Sequence, residues 1–208
     1  MANILCYGDS NTHGTKPLVT LGDFQRHAPG DRWPDVMAAE LGPEHTVITE
    51  GLPGRTTVHE DLVEGGARNG IAVLPAILHS HRPLDLMVLM LGTNDLKKRF
   101  SVSAFEIARS LERLINLARA EGVIARVLLV APVPVTETGV LEDAFAGAAA
   151  RQAGLTQQIA AAAKRQGCSF IDAGAHVAVS EVDGVHLDVA AHHTLGKVMA
   201  QAVRECLA

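Results

Sequence analysis

Apolar positions fall into short unbroken runs and longer stretches at helical spacing, and the two kinds alternate from the N-terminus onward. Ile4-Leu5-Cys6-Tyr7, Thr46-Val47-Ile48-Thr49, Leu84 to Leu91, Val127 to Val130 and Ser169-Phe170-Ile171 predict strands, each bounded by Gly, Pro or polar residues. The run from Leu84 to Leu91 is apolar apart from Asp85 and unbroken from Leu86 on, as in a central parallel strand covered on both faces. Helical spacing marks Trp33 to Leu41, with Pro34 near its start and Gly42 after it, and a stretch from about Gly70 to Ser80. Phe105, Ala108, Leu111, Ile115 and Ala118 trace a third helical face, opened by Ser103 and Glu106 at capping-box spacing. A fourth helix is expected from about Ala144 to Gln166, its start blurred by Gly147 and Gly154. Asp188 can cap a last one, with Leu195, Val198, Met199, Ala202 and Val203 facing inward. Strands alternating with helices imply right-handed crossovers and a parallel sheet. The expected fold is α/β, a three-layer α/β/α, flavodoxin-like doubly wound arrangement of five strands.

Composition narrows this picture. The 208 residues, 48% apolar and 20% charged, can bury a sizeable core, and no linker or internal repeat divides them, so one domain over 1–208 is expected. Eighteen basic against 23 acidic side chains leave a formal charge of -5 with no basic run, which argues against a nucleic-acid partner. Cys6, Cys168 and Cys206 lack paired spacing, so they read as core residues in a reducing compartment. Met1-Ala2-Asn3 runs straight into the first strand without a signal-peptide pattern, and no apolar run approaches ~18 residues. A soluble, cytoplasmic protein without a membrane partner is the expectation.

Candidate chemistry sits in four segments: Gly8-Asp9-Ser10, the loop at Gly54, Gly92-Thr93-Asn94-Asp95, and Asp183-Gly184-Val185-His186. The first three follow predicted strands, and a parallel sheet delivers its C-terminal strand ends to one crevice. The fourth, just before the final helix, can fold over the same edge. A serine hydroxyl there is a feeble nucleophile until an imidazole takes its proton, and a carboxylate on the other ring nitrogen fixes the tautomer. Spacing Asp183 three residues before His186 lets one turn hold both, and Gly184 makes that turn sterically easy.

These four blocks, in this order, resemble those of the SGNH hydrolases of the GDSL esterase superfamily. Gly-Leu-Pro-Gly-Arg-Thr-Thr and Leu-Gly-Thr-Asn-Asp are similar to its bacterial arylesterase and acyltransferase branch. The resemblance implies Ser10 as nucleophile, His186 as general base and Asp183 as the orienting carboxylate. It also implies an oxyanion hole from the N–H groups of Ser10 and Gly54 and the side-chain amide of Asn94, and no metal or organic cofactor. The activity implied is hydrolysis of small carboxylic esters, short-chain aryl, alkyl or sugar acetates, with acyl transfer to alcohols from the same acyl-enzyme. Assembly into a homo-oligomer, as large as an octamer, is implied as well. Two positions depart from the pattern: Asn11 stands where Leu is usual, expected to change only what packs beside the nucleophile, and Glu50 where Asn is common.

Blander readings exist for each residue. Ser10 or Asn94 can cap a helix, Asp183-Gly184 is an ordinary turn signal, and Asp9 and Asp95 are expected to brace their loops. Arg55 either pairs with a carboxylate near the site or lies on the surface, and His13 is a candidate pocket wall. His192-His193 reads as solvent-facing helix rather than a metal site, since adjacent helical residues diverge and no ligand cluster accompanies them. Two other functions compete with ester hydrolysis. One is a flavodoxin-like FMN or phosphate-binding module on the hydroxyl-rich loop after Ser10, disfavoured by the scarcity of aromatics, one Trp and one Tyr. The other is an oligomeric scaffold.

Overall fold

Each predicted strand forms, and a computed structural model describes all residues, 1–208. In chain order the elements are β1 (Ala2–Gly8), α1 (Ser10–His13), α2 (Trp33–Leu41), β2 (His45–Gly51), α3 (Gly70–His81), β3 (Leu84–Met90), α4 (Ala104–Ala120) and β4 (Ile124–Ala131). After these come α5 (Glu142–Phe145), α6 (Ala148–Arg151), α7 (Leu155–Gln166), β5 (Ser169–Asp172) and α8 (Val189–Leu207). The strands pair in parallel in the order β2-β1-β3-β4-β5. The chain therefore winds from β1 to one neighbour and returns across it to the other, leaving a switch point between β1 and β3 where ligands bind in such sheets.

Period-two alternation splits the core. Ile4, Cys6, Leu86, Val88, Leu128 and Val130 face α2 and α8, packing on Trp33, Met37, Leu195, Met199 and Val203. Leu5, Tyr7, Met87, Leu89 and Leu129 point the other way, onto Leu74 and Leu78 of α3, Leu111 and Ile115 of α4, and Ile159 of α7. Both faces of β1 and β3 are covered, which is why from Ile4 and from Leu86 onward their sequences read as apolar runs rather than alternating ones. Of the cysteines expected in the core, Cys6 is buried and Cys168 and Cys206 are half-buried. No helix is long and apolar enough to cross a membrane.

The capping box at Ser103 and Glu106 forms as expected, but Phe105 is exposed, and Ile107 and Leu114 complete the buried stripe of α4 instead. The single helix expected from about Ala144 to Gln166 is broken into α5, α6 and α7. Gly147 and Gly154 adopt φ of 79° and 77°, a left-handed backbone that no α-helix tolerates in its interior.

His192 corrects a second expectation. It is fully buried, not solvent-facing, its Nδ1 accepting the Trp33 N–H at 3.3 Å and its ring edge-on to His27 with centroids 4.9 Å apart. His192, Leu195, Gly196, Met199 and Val203 form one stripe of α8, so the helical period carried the signal. His193, one residue on, turns outward and pairs with Asp31 at 2.9 Å.

Burial, reinforced by repulsion from His27, lowers the His192 pKa from 6.5 to about 3. Between those values the unfolded chain binds a proton that the folded one refuses, so this residue's contribution is complete above 6.5 and is lost as pH falls toward 3. Going from about pH 7 to about pH 5 should remove about 2 kcal/mol of stability through His192 alone. In His192→Asn, whose oxygen can still accept from Trp33, the Tm should fall less over that interval than in the wild type. Parallel Tm-against-pH curves for the two proteins would show that His192 carries no such linkage.

Candidate active site

β1 ends at Gly8, and the chain turns at once into α1, whose N-cap is Asp9: its carboxylate accepts the Asn11 N–H at 2.9 Å. Ser10 thus takes the first helical position, where the helix itself supplies no acceptor for the backbone N–H. Its Oγ lies 3.0 Å from His186 Nε2, which reaches it from 176 positions downstream. Burial raises Asp9 to about 6 against the pull of the Asn11 N–H and of His186. As expected, Asp9 braces this loop.

The Asp183–His186 turn is built around the carboxylate. Asp183 Oδ1 accepts the N–H groups of Val185 and His186, each at 3.0 Å, while Oδ2 accepts the Leu18 N–H at 2.7 Å and His186 Nδ1 at 2.6 Å. Gly184 makes the turn possible with φ of 72°, and a Cβ there would sit 2.0 Å from the Thr136 carbonyl oxygen. Burial alone would raise the Asp183 carboxyl, but the hydrogen bond and charge of His186 and the backbone donors outweigh it and hold it at about 2. A carboxylate can only accept, so Nδ1 carries the ring proton and the Nε2 lone pair faces the Ser10 hydroxyl.

Loops after β2 and β3 complete the crevice. The Gly54 N–H donates to no other group of the protein. Asn94 opens a short 3₁₀ turn, and its Nδ2 donates to the Arg55 carbonyl at 3.1 Å, leaving the second amide hydrogen free. Asp95, fully buried, receives the Thr57 N–H on both oxygens, at 3.2 and 3.0 Å, and the Thr57 hydroxyl as well, fastening the two loops together. Neither expectation for Arg55 holds: it is buried and bonds carbonyls, that of Gly8 at 2.9 Å and that of Glu50, with its guanidinium 4.2 Å above the Tyr7 ring. Those acceptors belong to the backbone, and no residue spacing announces them. The Glu50 carboxylate pairs with His81 at 2.8 Å.

The sequence model of the GDSL-like lipase/acylhydrolase family matches residues 6–194. The chain belongs to that family. No curated protein matches it. Among solved structures, an aryl esterase from M. smegmatis is 34% identical over 99% of this chain and 100% of its own, with a TM-score of 0.94. A carbohydrate acetylesterase family member from Sinorhizobium meliloti is 39% identical over 100% and 99% of the two chains, with a TM-score of 0.92. A second carbohydrate acetylesterase from the same organism is 33% identical over 99% of both, also at 0.92.

In this GDSL-like acylhydrolase the convergent groups open into a cavity of about 410 Å³ lined by Ser10, Gly54, Asn94 and His186. Leu18, Leu21 and Phe24 from one long loop, Leu141 and Phe145 from α5 and the turn before it, and Val185 make an apolar wall. Glu64, Arg68 and Lys97 make a charged one. Lys97 is buried and bonded to Glu64 at 2.6 Å and Asp61 at 3.4 Å, contacts that periodicity in the sequence does not reveal. His13 is not part of the lining; its Nδ1 meets Thr15 Oγ1 at 3.1 Å. Asn11, expected to affect packing alone, hydrogen-bonds the backbone on both sides of His186.

Proposed function

We propose that this protein is a serine esterase that cleaves small carboxylic esters through a Ser10 acyl-enzyme. The observation that carries the reading is the continuous relay from Ser10 Oγ to His186 Nε2 at 3.0 Å and from His186 Nδ1 to Asp183 Oδ2 at 2.6 Å. As Oγ attacks the ester carbonyl, Nε2 takes its proton, and the Asp183 carboxylate stabilises the imidazolium. Negative charge gathers on the former carbonyl oxygen, to be met by the N–H groups of Ser10 and Gly54 and the free amide hydrogen of Asn94. Collapse expels the alcohol, which takes the proton back from His186. Water, activated by the same imidazole, then releases the acid. An alcohol admitted to the cavity can do so in place of water, which gives acyl transfer.

A cavity of about 410 Å³ with an apolar wall suits short acyl groups on aryl or alkyl alcohols, and its charged wall suits polyhydroxylated ones such as sugars. That the neighbours are an aryl esterase and carbohydrate acetylesterases supports the same substrate range. Val19, Leu21 and Phe24 stand exposed on the loop that forms part of the apolar wall. Their exposure favours a homo-oligomer whose neighbouring subunit covers them.

An alkyl fluorophosphonate tests the reading. Loss of fluoride should leave one phosphonyl group bonded to Ser10 Oγ, located by peptide mass mapping, and turnover of p-nitrophenyl acetate should disappear in proportion to labelling. Full labelling at another residue, or turnover that survives labelling of Ser10, would sink the proposal.

A further inference from the structure

Asn11 follows Ser10 in α1, is buried, and engages the segment carrying His186 with both ends of its side-chain amide. Its Nδ2 donates to the Val185 carbonyl at 3.0 Å, and its Oδ1 accepts the Leu187 N–H at 3.1 Å. Those partners flank His186 on either side. One C=O and one N–H, two residues apart, are thus met as a neighbouring strand would meet them. From this bracket we infer that Asn11 is a positioning residue, fastening the turn that carries the general base to the helix that carries the nucleophile. The inference rests on the esterase reading above.

Other polar groups of the turn are held elsewhere. The His186 carbonyl accepts the Ser180 N–H at 2.8 Å, and the Leu187 carbonyl meets His27 Nε2 at 3.1 Å. Asp183 takes the N–H groups of Val185 and His186, and the Ser180 carbonyl takes that of Gly184 at 2.9 Å. These contacts tie the turn to its own loop and to the segment around His27, whereas the Asn11 bonds reach α1 itself. The distance that matters to proton transfer, 3.0 Å from Oγ to Nε2, runs between these same two elements. Misplacement of a reacting group by about 1 Å can lower a rate by about 10². Leucine, the usual residue of the family motif at this position, could make neither bond, so the motif alone does not imply the fastening.

Asn11→Leu tests the polar role, since leucine has the same forked shape with methyl groups where the amide has oxygen and nitrogen. Its kcat for p-nitrophenyl acetate should fall by about 10- to 10²-fold with KM little changed. The low-field proton resonance of the His186–Asp183 hydrogen bond should broaden. Asn11→Ala should behave alike, and it stands in if the leucine variant fails to fold. In the wild type, the Leu187 amide should be strongly protected from hydrogen exchange, a measurement that needs no variant.

A leucine variant with wild-type kcat beside a slow alanine variant would reduce Asn11 to packing and overturn the inference. A loss residing in KM, or a freely exchanging Leu187 amide, would overturn it too. An inactive wild type that no fluorophosphonate labels would strike the esterase reading instead, leaving Leu187 protection and the proton resonance to judge the bracket.

Discussion

Ser10→Ala should lower kcat for p-nitrophenyl acetate by about 10⁶ while leaving KM and the fold nearly unchanged. The substitution removes Oγ and little else. An alanine in place of Ser10 keeps the backbone N–H and suits the first turn of a helix, and Asp9 would still cap α1 through the Asn11 N–H. What disappears is the atom 3.0 Å from His186 Nε2, so no acyl-enzyme can form. The cavity and the Gly54 and Asn94 donors persist, and a small residual rate over water is expected from them. Stopped assays at high enzyme concentration, with thermal melts on the same samples, decide the matter: a folded variant retaining more than about one per cent of wild-type kcat would rule out Ser10 as the nucleophile.

For Asp183→Asn the expected loss is about 10⁴ in kcat, as in other triads where the carboxylate becomes an amide. The reason lies in what Asp183 accepts. Both oxygens are filled by donors, Val185 and His186 N–H on one and Leu18 N–H and His186 Nδ1 on the other. An asparagine must turn its NH₂ toward one of those pairs. Facing Nδ1, it forces the ring proton to Nε2 and destroys the base; facing the backbone pair, it meets donors with donors. Each N–H left unpaired in this buried turn costs about 1–3 kcal/mol, so Tm should fall as well. Because the carboxyl is held at about 2, acidification to about pH 4 should not mimic the mutation through Asp183. A variant within tenfold of wild-type kcat would mean that the imidazole does not depend on this carboxylate.

How well particular residues could be read depended on whether their role is periodic or local. Leu84 to Leu91 reads as a central strand because both faces of β3 are covered, and a short apolar run bounded by Pro83 and Gly92 carries that fact. Ser103 and Glu106 cap α4 through groups three residues apart, within the reach of sequence reasoning. Asp183, Gly184 and His186 make a turn whose contacts span three positions, so its shape could be anticipated as well. His192 was misread because a polar residue was weighted by type and not by its place in the stripe with Leu195 and Met199. The helix expected from about Ala144 failed at Gly147 and Gly154, where composition favoured helix and backbone conformation did not allow it.

The sequence by itself determined which segments become strands, that the central one is covered on both faces, and which hydroxyl, imidazole and carboxylate are available, because these depend on neighbours within a few positions. Tertiary structure alone decided that Asn11 grips both sides of His186, that Arg55 bonds the carbonyls of Gly8 and Glu50, and that Leu18 lends its N–H to Asp183. The physical reason is that these partners are mostly backbone groups. Every residue carries the same C=O and nearly every one the same N–H, so nothing in the side-chain alphabet distinguishes the one that folding brings within reach.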